Sequence, residues 1–185
     1  MTAKRIINWL TKQKVISEDE RELYEYAYRS LLYLFTPFII AIVVGSILHS
    51  VMESVIMVIP FVILRSFCGG FHMKNIRGCL IVSSLSFLGI MCLSFAPLSE
   101  ISYYILTVVC AISISVISPV TSKNKEIASD EISKYKIITV ILVSIMSILI
   151  FVMYINNNGY IAKYLSLGLF LTAALQWPCL MRKYN

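Results

Sequence analysis

A histidine and a cysteine seven residues apart are the side chains of this sequence best suited to covalent chemistry. They are His72 and Cys79, and both lie in the polar stretch 65–79. Cysteine attacks a carbonyl carbon as a thiolate, and a neighbouring imidazole or a cationic field favours that form. The stretch also holds three basic residues and a glycine pair, namely Arg65, Lys74, Arg77 and Gly69–Gly70. It is therefore a candidate site for nucleophilic catalysis.

The spacing of this pair places a condition on the local structure. In one unbroken helix, residues seven apart share a face but lie about 10 Å apart along the axis. Direct proton transfer needs the two atoms about 3 Å apart. The chain must therefore bend between His72 and Cys79, or a helix must begin after His72. Gly78 and the pair Gly69–Gly70 permit such bends, and glycines can expose backbone N–H groups to an oxyanion.

Two other interpretations stay open on the residues alone. A free cysteine is often only a small buried apolar residue, and a histidine beside it is then structural. Cys68, His72 and Cys79 also have a C-x3-H-x6-C spacing, which suggests a metal or redox sensor. No fourth ligand is evident, and zinc ligands usually come in closely spaced pairs. Catalysis, packing and metal binding are the three hypotheses at this point.

The elements that position these residues are apolar. The chain has 185 residues, of which 58% are hydrophobic and 14% charged. Soluble domains carry about 25% charged residues, and disordered chains are poor in large aliphatic residues, so both classes are excluded. Six apolar runs approach the roughly 20 residues that cross a bilayer: 30–48, 51–64, 80–96, 101–120, 136–155 and 160–180. We predict one all-α domain, 1–185, a polytopic membrane protein with six transmembrane helices.

The basic residues predict the orientation of these spans. All lysines and arginines except Lys163 lie in the N-terminal segment 1–29, the stretch 65–79, the loop 121–136 and the C-terminal end. Cytoplasmic loops of membrane proteins are enriched in these residues. We therefore expect a cell-membrane protein with both termini in the cytoplasm and with the stretch 65–79 on the same side.

The N-terminal segment predicts two helical features. Apolar and basic residues alternate at helical spacing: Ile6, Ile7, Trp9 and Leu10 among Lys4, Arg5, Lys12 and Lys14. This pattern is typical of an amphipathic helix that lies in the membrane interface. The sequence Ser17-Glu18-Asp19-Glu20 has the form of a capping box, with Ser17 as the N-cap of a helix that continues into the first span.

The motifs together resemble the accessory gene regulator B (AgrB) family of membrane cysteine endopeptidases. Arg65 and His72 flank the pair Gly69–Gly70, and Cys79 follows His72 at the spacing of that family's catalytic residues. The six predicted spans match its topology. A later Pro-x-x-x-x-Asn-Lys element, residues 119–125, matches a further motif at the start of the fourth loop.

The resemblance implies a function and a partner. Family members cleave the tail from an AgrD-like precursor peptide and close the remainder into a thiolactone or lactone, a quorum-sensing autoinducer. Cys79 would be the nucleophile and His72 the general base. Substrate binding or support of the site would fall to Arg65, Gly69, Gly70, Lys74 and Arg77. A homodimer in the bilayer is expected, with no cofactor, metal or nucleic-acid partner. The alternative is a small-peptide exporter or a sensor. The near absence of mid-membrane charges and of repeats argues against transport.

Overall fold

The computed structural model of the protein describes residues 2–13, 15–69, 76–120 and 129–183, and the regular structure of these residues is α-helical. The helices are, in chain order, α1 Thr2–Lys12, α2 Arg21–Ile47, α3 Val51–Cys68, α4 Ile76–Leu93, α5 Glu100–Ile117, α6 Ser129–Ile155 and α7 Gly159–Lys183. The six predicted apolar runs overlap α2 to α7 one by one. The prediction of an all-α fold is confirmed.

Among the described residues, three helices are long and apolar enough to cross a membrane: Val51–Cys68, Glu100–Ile117 and Glu131–Ile155. Two shorter apolar helical segments, Leu34–Ile47 and Ile81–Leu93, lie in α2 and α4. The helix α3 continues beyond its apolar run, which ends at residue 64, and therefore includes Arg65. Likewise α6 begins at Ser129, inside the predicted loop 121–136. The full set of six spans stays a prediction.

The chain divides into two units, Met1–Ile39 and Ile40–Asn185. In the first unit, Glu20 forms a turn with Ser17 just before α2. The backbone N–H and the hydroxyl of Ser17 both donate to the Glu20 carboxylate, at 3.2 and 2.9 Å. The bond from the Ser17 N–H is one half of the predicted capping box. The Ser17 hydroxyl, however, donates to the carboxylate and does not accept from the backbone, and α2 begins at Arg21, later than the predicted start at Ser17. The backbone bond first, and the hydroxyl bond second, hold the pKa of Glu20 below its ordinary value.

In the second unit, α7 is the central helix. It packs against α3, α5 and α6, with fewer contacts to α4, and most residues from Ala162 to Gln176 are buried. A helix that is buried all round is enclosed by other helices. Gly168 allows close contact with α3, since a Cβ atom there would overlap the carbonyl oxygen of Met57 and would lie 2.5 Å from Cγ of Pro60.

Contacts at both ends of the bundle show that α3, α5 and α7 run parallel. Near their first turns, the Tyr160 hydroxyl donates to Glu53, and the Lys163 ammonium lies 5.5 Å from the ring centroid of Tyr103. At the other end, Gln176 near the end of α7 donates to Ser118, which directly follows α5. Alternate spans of a six-span protein cross the membrane in the same direction. The parallel course of α3, α5 and α7, which are separated along the chain by one helix each, is therefore expected of such a protein.

The outward faces of α5 and α6 are aliphatic. On α5 the aliphatic residues more than half exposed recur at helical spacing: Ile101, Ile105, Val109, Ile112 and Val116. On α6 the aliphatic residues more than half exposed are Ile137, Ile141, Ile145, Ile148 and Ile155. The buried face of α5, by contrast, includes the hydroxyl-bearing Tyr103 and Thr107. Apolar surface this continuous marks contact with a partner or with lipid.

Candidate active site

Cys79 lies in the first turn of α4, which begins at Ile76. The first backbone N–H groups of a helix have no partner within the helix, and the helix dipole adds positive potential there. Reactive cysteines often occur at this end of a helix. The position is therefore suitable for a nucleophile.

The condition derived from the spacing concerns the chain between His72 and Cys79, part of which lies outside the described residues. The helix α3 ends at Cys68, and α4 is described from Ile76 onward. The predicted site residues Gly70, His72 and Lys74 lie outside the described residues. Arg77 lies in the first turn of α4, like Cys79.

Arg65 lies in the last turn of α3 and not in a loop. Its side chain is partly buried, and the guanidinium carbon lies 5.6 Å from the ring centroid of Phe61, one turn earlier on the same helix. An arginine over an aromatic face makes a cation–π interaction, which orients the guanidinium group. The predicted support residue is therefore held on a rigid element.

Gly69 ends α3 and pairs with Val120. It has φ +69° and ψ −158°, and it forms a parallel bridge with Val120, whose N–H donates to the carbonyl oxygen of Cys68 at 2.9 Å. A Cβ atom at Gly69 would overlap the carbonyl oxygen of Val120. We call Cys68, Gly69, Ser118 and Val120 the junction. The junction brings together the ends of α3 and α5. At these two points the chain enters the loops that carry the motifs.

A buried polar group lies beneath the junction. The Cys68 thiol faces the hydroxyls of Ser118 and Thr139, and all three residues are buried. The Gln176 side chain is 0% exposed, and its Nε2 donates to the Ser118 Oγ at 2.8 Å. Sequence reasoning missed Gln176 and Thr139. The available signal was a polar residue inside an apolar run, which in a membrane protein is by default a functional candidate.

The described part of the chain contains no cluster of metal-ligating side chains that would support the metal hypothesis. Within residues 2–13, 15–69, 76–120 and 129–183, no three His, Cys, Asp or Glu side chains come together as a metal site would require. Cys68 is enclosed between Ser118 and Thr139 at the junction.

One protein family accounts for the whole arrangement of motifs. The sequence model of Accessory gene regulator B (AgrB) matches residues 3–180, which include the stretch 65–79, the junction and Gln176. The chain belongs to the AgrB family. A search of curated proteins and a search of solved structures gave no match. The apolar helices and the family together identify a membrane protein of the AgrB family.

Proposed function

We propose that this AgrB-family protein is a membrane cysteine endopeptidase that cleaves an AgrD-like precursor peptide and cyclises the product. The observation that carries the proposal is the family match over residues 3–180, which spans His72 and Cys79. The position of Cys79 at the start of α4 supports its role as nucleophile. The product is a thiolactone or lactone used as a quorum-sensing autoinducer.

The first step is transfer of the acyl group to the enzyme. His72 removes the proton of the Cys79 thiol, and the sulfur attacks the carbonyl carbon that precedes the tail of the precursor. The C–N bond then breaks, and His72 gives its proton to the leaving amine. Backbone N–H groups in the first turn of α4 can stabilise the oxyanion. The products are an acyl-enzyme thioester and the free tail.

The second step is ring closure. A cysteine or serine side chain within the bound precursor loses its proton to His72 and attacks the thioester carbon. The bond from that carbon to the sulfur of Cys79 breaks, and the thiolate recovers its proton. Cyclisation is faster than hydrolysis of the thioester only where water has little access to the site. A site at the membrane surface limits that access. No further cofactor is needed to balance either step.

The proposed topology has six spans, with both termini and the site on the cytoplasmic side. The parallel course of α3, α5 and α7 supports it, because these helices are the second, fourth and sixth predicted spans. The aliphatic outer faces of α5 and α6 support contact with lipid. The bridge between Gly69 and Val120 supports a common side for the second and fourth loops.

We assign support of the site to the predicted residues around the dyad. Arg65, Lys74 and Arg77 would attract an acidic precursor tail, since opposite charges on a surface raise the local concentration of a substrate. Gly69 and Gly70 would let the chain turn sharply after α3. The homodimer implied by the family belongs to the same proposal.

Co-expression with a precursor peptide tests this function. Cys79→Ala should abolish release of the tail, and His72→Ala should lower it by about 10²–10⁴-fold, the usual contribution of a general base. Intact mass spectrometry should find the acyl adduct on Cys79. Cys68→Ala and the matched control Cys110→Ala, each of which removes a buried thiol, should retain cleavage.

Two other outcomes would favour the alternative functions. Cleavage that persists without Cys79 would refute the endopeptidase and favour an exporter. Loss of function in Cys68→Ala as well as in His72→Ala and Cys79→Ala would favour a metal site built from these three residues, and hence a sensor.

A further inference from the structure

The amide group of Gln176 is buried at a cost in folding free energy, and packing alone does not explain why it is there. It lies on α7 inside the bundle, and its Oε1 has no hydrogen-bond partner among the residues that the structure describes. A buried polar atom without a partner destabilises the folded state, and an apolar side chain of the same size would avoid that cost. The amide therefore has a reason to be there beyond filling space.

The hydrogen bond that Gln176 does make leads to the junction. Its Nε2 donates to the Ser118 hydroxyl at 2.8 Å, across 58 positions of the chain. Ser118 in turn faces the thiol of Cys68, and the Cys68 carbonyl accepts the N–H of Val120 at 2.9 Å. The bond from α7 thus secures the end of α5 against the end of α3.

We propose that Gln176 is a positioning residue for the active site. Through Ser118 it fixes the junction, so that the chain leaving α3 toward His72 starts from one place relative to the bundle. The inference rests on the proposed function for its catalytic meaning, whereas the anchoring itself rests on the geometry alone. A displacement of about 1 Å in a catalytic group is enough to lower a rate by roughly 100-fold.

Four variants test the inference. Gln176→Met removes both hydrogen-bonding groups at nearly constant volume, and Ser118→Ala removes the acceptor. The double variant tests whether the two residues act through one bond. Thr172→Val is the matched control, since Thr172 is equally buried one turn earlier on α7 and donates only to Gly168 of its own helix.

The first measurement is precursor cleavage in lipid nanodiscs. We expect kcat to fall by about 10- to 100-fold in Gln176→Met and in Ser118→Ala, with KM within about threefold of wild type. The double variant should be no slower than the slower single variant. Thr172→Val should keep kcat within about twofold. Effects of the single variants that multiply in the double variant, or an equal loss in Thr172→Val, would overturn the inference.

The second measurement does not depend on activity. Hydrogen–deuterium exchange of the Val120 N–H, which is bonded to Cys68, should be at least about tenfold faster in Gln176→Met and Ser118→Ala and unchanged in Thr172→Val. If wild type fails to cleave any precursor, the proposed function fails, and exchange still decides the anchoring. Unchanged exchange in both single variants refutes the inference. If Gln176→Met does not fold, Ser118→Ala decides alone.

Discussion

Gly69→Ala is the substitution that tests the junction most directly. The backbone of Gly69 has φ +69° and ψ −158°, a region that essentially only glycine occupies. A methyl group there would also overlap the carbonyl oxygen of Val120. The helix α3 can fold without this pairing, because its hydrogen bonds are internal. We therefore expect the substitution to separate Gly69 from Val120 and to leave the helices intact.

The magnitude follows from two contributions, both of which fall on the paired junction. Holding a residue with a side chain in this backbone region costs about 1–3 kcal/mol. The overlap of the methyl group with the carbonyl oxygen of Val120 adds about 1–3 kcal/mol, as overpacking typically does. The hydrogen bond between the Val120 N–H and the Cys68 carbonyl is lost on separation in wild type and variant alike, so it does not enter the difference. Together the two contributions disfavour the paired junction by at least about 2 kcal/mol, which corresponds to about 30-fold or more in its population relative to the separated one.

Two assays on one preparation check this expectation. Hydrogen–deuterium exchange at Val120 should accelerate by at least about tenfold, and the rate of precursor cleavage should fall by a similar factor. Gly89→Ala is the control, because Gly89 lies within α4 and a Cβ atom there meets nothing within 4 Å. It should be neutral or stabilising by about 0.5–1 kcal/mol. Wild-type exchange and wild-type cleavage in Gly69→Ala would refute the reasoning.

Three further predictions concern other contacts. Gly168→Ala should lower the free energy of unfolding by about 1–3 kcal/mol, measured in detergent, because the new methyl overlaps α3; unchanged stability would contradict that packing. Thr107→Val should cost about 0.5–1.5 kcal/mol by removing the buried bond from Thr107 to the Ser166 hydroxyl at 2.8 Å, and Ser166→Ala should add little to it. An NMR titration should find the pKa of Glu20 below its ordinary value. At pH values above the ordinary pKa of a glutamate, the hydrogen bonds from Ser17 stabilise the turn fully. They are lost as the pH falls through the lowered pKa, and Ser17→Ala should raise the pKa of Glu20.

The sequence by itself determined the local features of this protein. Apolar runs of near-span length predicted the helices α2 to α7, because a helix satisfies its own backbone and needs only a continuous segment. The spacing of His72 and Cys79 predicted either a bend between them or a helix start after His72, and this prediction concerns residues outside the described part of the chain. The amphipathic pattern predicted α1. The motifs in 65–79 and 119–125 led to the AgrB family, which the match over residues 3–180 confirms.

Element ends were less well determined. The apolar run stopped at residue 64, but α3 continues through Arg65 to Cys68, because helical hydrogen bonding ends at the backbone break of Gly69 and not at the first charge. The turn at Ser17 shows the same limit, since its hydroxyl donates to Glu20 and does not cap α2. Neither choice of hydrogen-bond partner is encoded in residue type alone.

Only the tertiary structure decided what joins the two motif-bearing segments. The bridge from Gly69 to Val120 and the bond from Gln176 to Ser118 each link residues more than 50 positions apart. Such contacts depend on which faces of α3, α5 and α7 meet, and many faces of an apolar helix are equivalent by composition. The parallel packing of these three helices selects one combination, and that selection places a buried amide beneath the junction.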